Sequence, residues 1–114
     1  MSLFTNNELL ELEEYVTNEL LNMQHIDINE LTFLNNMISV QFNTAPIRIN
    51  YIGYKVFIWG RRDLYYIKYE EYHYKIFGSK PIILNEKLYE IEYIDDVFNI
   101  LEDIFDTLRP RDEY

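Results

Sequence analysis

YIGYKVFIWGRRDLYYIKYEEYHYKIF, residues 51–77, holds seven of the eleven tyrosines, the single tryptophan and five of the ten lysines and arginines. Aromatic and β-branched side chains at this density suit a pleated, half-buried surface, so the stretch reads as strand. Residues 55–59 and 64–69 flank Gly60-Arg61-Arg62-Asp63, which predicts a hairpin with a loop of about four residues. A strand follows around residues 72–77, either continuous with the one before it or separate, and ends at Gly78-Ser79-Lys80-Pro81. Gly53 predicts a bulge or bend near the start.

Working outward, residues 37–43 alternate Ile38, Val40 and Phe42 with Ser39 and Gln41, the period of a strand. Thr44-Ala45-Pro46 predicts a turn, and residues 47–50 alternate again. Residues 25–36 are ambiguous: Asp27-Ile28-Asn29-Glu30 can cap a short helix, yet Asn35-Asn36 also reads as a turn between two strands. On the other side, residues 82–84 and 88–93 predict a last hairpin about Asn85-Glu86. Connections this short make the sheet antiparallel.

A helix flanks the sheet at each end of the chain. Thr5-Asn6-Asn7-Glu8 fits a capping box, Phe4 and Leu9 a hydrophobic staple, and Leu9, Leu12, Val16, Leu20 and Met23 an apolar stripe. These predict a helix over residues 6–23. Leu10 and Leu21 form a second, offset line, with Glu13 and Thr17 between the two. Either Glu13 sits at the rim of the core with its head in water, or Leu10 and Leu21 touch a partner. Ile94, Val97, Phe98, Leu101, Ile104, Phe105 and Leu108 share one face of a second helix over residues 95–108, with Asp95 as N-cap. Residues 109–114 read as a frayed tail.

The fold expected is α+β: an N-terminal helix, a curved antiparallel sheet of about five strands and a C-terminal helix, both helices on one sheet face. At 114 residues this is a single domain.

Charge is laid out in blocks. Residues 1–47 carry seven acids and no lysine or arginine, residues 48–80 seven basic residues and three acids, and residues 81–114 ten acids and three basic residues. Glu8 and Glu11, and Asp95 and Asp96, suit helix N-terminal dipoles. Glu102, Asp103 and Asp106 lie toward a C-terminus, where the dipole disfavours them, and Glu102 with Asp106 is a like-charge i,i+4 pair.

With no cysteine, the chain has no disulfide framework, thiol nucleophile or cysteine-built zinc site. Gly53, Gly60 and Gly78 are not spaced as a phosphate loop, and His25 and His73 belong to no metal-ligand pattern. The expectation is a protein that is not an enzyme and uses no cofactor or metal. The N-terminus lacks the basic region and apolar run of a secretory signal, and no segment reaches the length of a membrane span, so a cytoplasmic, membrane-free protein is expected.

Size and charge are those of acidic inhibitors such as DNA mimics, anti-CRISPR and anti-restriction proteins and toxin-immunity proteins, although no motif of these families is present. The expected partner is a basic protein, a nuclease or nucleic-acid-binding enzyme. Glu11, Glu14, Glu102, Asp103 and Asp106 supply the charge for that contact, and Tyr65, Tyr69 and Tyr72 supply anchoring area. Three rival readings are a structural or adaptor module that forms a homodimer, nucleic-acid binding by the Tyr/Lys-rich sheet, and small-molecule binding in a tyrosine-lined pocket between sheet and helices. The net charge of −10 argues against the second.

Overall fold

The computed structural model describes residues 4–23, 26–34, 37–44, 50–75 and 80–108. Helix α1 (Asn6–Asn22) is followed by five strands, β1 (Ile26–Leu34), β2 (Met37–Thr44), β3 (Asn50–Arg61), β4 (Leu64–Lys75) and β5 (Ile82–Ile91), and by helix α2 (Ile94–Leu108). The strands form one open antiparallel sheet in sequence order. This is the α+β architecture expected.

Alternation divides each strand between two faces. Ile38, Val40, Phe42, Val56, Ile58, Ile67, Tyr69 and Ile91 face one way and join Leu12, Val16, Leu20, Val97, Leu101, Ile104 and Phe105 in a single core. Both helices therefore cover the same side of the sheet. The molecule's shortest extent, 20 Å, matches one helix layer on one sheet. Tyr15 of α1 joins the helices, its ring 5.6 Å from Phe98 in an edge-on contact and 6.2 Å from Phe105.

The capping box of α1 forms in both directions: Glu8 N–H donates to Thr5 Oγ1 at 3.1 Å, and Thr5 N–H to Glu8 Oε1 at 2.9 Å. Phe4 goes deeper than a staple requires, its ring 5.1 Å from Tyr65 on β4. Tyr65 pairs with Ile91, and α2 begins at Ile94, so both helices start at the same end of the sheet. Asp95 lies in the first turn of α2 rather than before it.

The ambiguous stretch after α1 is strand where it is described, as β1. His25, the Asn35-Asn36 turn, the Thr44-Ala45-Pro46 turn beyond Thr44, residues 47–49, the end of the strand predicted to residue 77 and the tail at 109–114 lie outside the described residues.

Three local expectations are corrected. The β3–β4 connection is two residues, not four: Gly60 and Arg61 pair with Tyr65 and Leu64, and Arg62 takes a left-handed φ of 58° to close the turn. Gly53 makes no bulge. It pairs in register with Tyr72, and a Cβ there would run into the ring of Tyr74, which lies across it. The last hairpin does not exist; residues 82–91 are the single strand β5, in which Asn85 and Glu86 pair with Glu71 and Glu70. The irregularity that a turn would have supplied is a β-bulge between Ile83 and Asn85.

Candidate functional site

The two helices hold ten acids and no lysine or arginine, so the helical layer carries a charge equal to that of the whole chain, and the remaining acids and bases balance. Glu11 and Glu14 on α1, and Glu102, Asp103 and Asp106 on α2, are all exposed. All five predicted acids thus belong to one layer on one side of the sheet. Glu13 is also exposed, and Leu10 and Leu21 beside it are 61% and 71% exposed, so α1 presents an acidic surface with an apolar line.

The three predicted tyrosines do not act together. Tyr65 faces the helices, half-buried against Phe4, and burial, with Glu8 beside it second, pushes its phenol up from the ordinary range. Tyr69 is buried in the core at 6% exposure and offers no outer surface to a partner. Its hydroxyl donates to Glu71 Oε2 at 3.2 Å, and burial, with the Glu71 charge second, pushes the phenol well above the usual value. Tyr72 alone faces away from the helices.

Tyr69 and Asp103 meet in a cleft of about 280 Å³ between the C-terminal half of α2 and strands β4 and β5. Glu71 forms part of its wall from β4, and Lys87 and Tyr89 from β5. Neither carboxylate has an ion pair with Lys87 among the described residues. A tyrosine-lined pocket between sheet and helices is among the sequence expectations, but its acidic lining from Glu71 and Asp103 depends on where α2 crosses the sheet. Burial, with Glu71 second, also raises the phenol of Tyr54.

The outer sheet face is aromatic and largely satisfied by its own contacts. Trp59 stacks on Tyr66 at 5.3 Å and Tyr51 on Tyr74 at 5.0 Å. Glu70, only 8% exposed, accepts a hydrogen bond from the Tyr72 hydroxyl, which pushes that phenol up to about 12, with burial adding less. Lys55, opposite Glu70 on β3, lies 5.0 Å above the Tyr72 ring. Lys68 pairs with Glu86 at 3.6 Å. Among the described residues, this face carries three basic residues, Lys55, Arg61 and Lys68, and five acids, Asp27, Glu30, Glu70, Glu86 and Glu90. Such a surface does not favour phosphates.

Among the described residues, no helix is long and apolar enough to cross a membrane, and no three His, Cys, Asp or Glu side chains gather as metal ligands. Compared with protein families, curated proteins and solved structures, the chain matches none, so its function is read from the arrangement of its own residues.

Proposed function

We propose that this chain is a small acidic protein that binds another protein and inhibits it, by presenting its helical layer to a basic nucleic-acid-binding groove or active site. A nuclease or a DNA-binding enzyme has the chemistry such a layer complements. The mode is that of DNA mimics, anti-CRISPR or anti-restriction proteins and toxin-immunity proteins.

One observation carries this reading: the whole net charge of −10 is segregated into two adjacent helices, while the rest of the chain is balanced. Charge spread for solubility alone has no reason to concentrate in one layer. A single-sign surface of this kind steers a basic partner into encounter and raises the association rate by about 10- to 1,000-fold at low salt. Glu102 and Asp106 keep a like-charge i,i+4 spacing near a helix C-terminus, where the dipole disfavours negative charge.

The test is capture of partners by the tagged protein from its native cell, with mass spectrometry, beside the double variant Glu102→Lys with Asp106→Lys. Both positions are exposed, so the variant keeps its helical circular dichroism. It is expected to lose the basic partner. Capture unchanged by the charge reversal sinks the mimicry.

A further inference from the structure

β5 ends the sheet, and no described residue pairs with its far side. The opposite edge is guarded. Both edge strands carry a bulge, at Asn29 on β1 and at Leu84 on β5, but only on β1 does a carboxylate close over the sheet: Glu30 accepts hydrogen bonds from Ser39 Oγ at 3.1 Å and Gln41 Nε2 at 2.7 Å. A charged group drawn over the sheet discourages strand addition. On β5, by contrast, Ile82, Ile83, Leu84 and Leu88 are all more than half exposed.

The two flanks of β5 differ in chemistry. On the outer face stand Ile83 and Leu88, with Glu86 between them engaged by Lys68. On the helix face, Lys87 and Tyr89 border the cleft that holds Glu71 and Asp103. Successive residues of an added strand would point to these flanks in turn.

From this we infer that β5 receives an extended segment of the partner protein in which apolar and basic residues alternate. This rests on the reading that the partner is basic. Apolar side chains lie on Ile83 and Leu88, and a lysine or arginine enters the cleft toward Glu71 and Asp103. Tyr69 occupies one acceptor position of the Glu71 carboxylate and leaves others for a guanidinium or ammonium. Asp103 has no side-chain partner among the described residues. Tyr89 adds an aromatic wall that favours a cation. Lys87 opposes the incoming charge, but its side chain is exposed and can turn to solvent. The cleft is smaller than the roughly 300–1,000 Å³ of drug-sized sites, a size for one side chain rather than a cofactor. Main-chain hydrogen bonds along the edge supply affinity, and the two flanks supply selectivity.

The probe is an eight-residue peptide of alternating valine and arginine, compared at physiological salt with a peptide of the same composition in two blocks. Amide hydrogen exchange locates the contact and fluorescence anisotropy gives the affinity. The alternating peptide is expected to protect β5 amides and to bind about tenfold tighter than the block peptide. Leu88→Lys and Asp103→Lys, both at exposed positions, each remove most of that preference. Equal binding of the two peptides, protection confined to the helices, or indifference to both variants overturns the inference. So does protection of β5 without peptide in a species of twice the monomer mass, which assigns the edge to a second copy. The captured partner separates this inference from the reading it rests on. Loss of that partner with Glu102→Lys and Asp106→Lys, but not with Leu88→Lys, leaves the helical layer as the contact and removes β5 from it.

Discussion

Phe105→Ala lowers the stability of the protein by about 3–5 kcal/mol, read as a fall in the urea midpoint at unchanged slope. Phe105 has no exposed surface, and it does two jobs. It fills the core between α2 and the sheet, and with Phe98 it meets Tyr15, the aromatic joint between the helices. Each helix carries five carboxylates, so that apolar contact is what holds two like-charged helices side by side. A loss of this size is a large share of the roughly 5–15 kcal/mol that holds a small domain together. Leu21→Ala, at a position 71% exposed, is the control and changes stability by less than about 0.5 kcal/mol. If Phe105→Ala moves the midpoint no more than Leu21→Ala does, α2 is not packed as described.

Alkali is the second large lever. Tyr54, Tyr65, Tyr69, Tyr72 and Tyr74 all have phenols held above their ordinary value of 10.0, through burial or a neighbouring carboxylate. In the unfolded chain these groups ionise near 10, whereas the fold keeps them protonated. Their contribution to stability is thus complete below pH 10 and is lost as pH rises through the folded values, about 12 for Tyr72. The outcome expected is a cooperative loss of circular dichroism above pH 10, coincident with a step in phenolate absorbance. All tyrosines titrating smoothly near 10, with the dichroism unchanged, would contradict these placements.

The sequence made the helices legible because their signals are local. The Thr5–Glu8 box and the stripe from Leu12 to Leu20 state where α1 begins and which face it buries, and the structure follows them. Strand alternation likewise separates Tyr65 and Tyr69 from Tyr72. It cannot say which face the helices take, because both faces of the tyrosine hairpin are aromatic. Gly53 reads as a bulge in the sequence because its true constraint, the Tyr74 ring, comes from 21 residues along the chain on the next strand. Asn85-Glu86 reads as a turn because an edge strand tolerates polar residues that a central strand does not. The acids of the candidate surface were legible one by one. Their segregation became visible once the element bounds were known, and the meeting of Asp103 with Tyr69 and Glu71 once α2 was placed over β4 and β5.

An acidic helical layer that occupies a partner's nucleic-acid-binding surface must compete with nucleic acid for it. A competition measurement tests it most directly: the captured partner is loaded with labelled duplex DNA, and this protein is titrated in. The result expected is displacement of the DNA, mutually exclusive binding, and failure of the variant carrying Glu102→Lys and Asp106→Lys to displace it. A stable ternary complex of partner, DNA and this protein would contradict it.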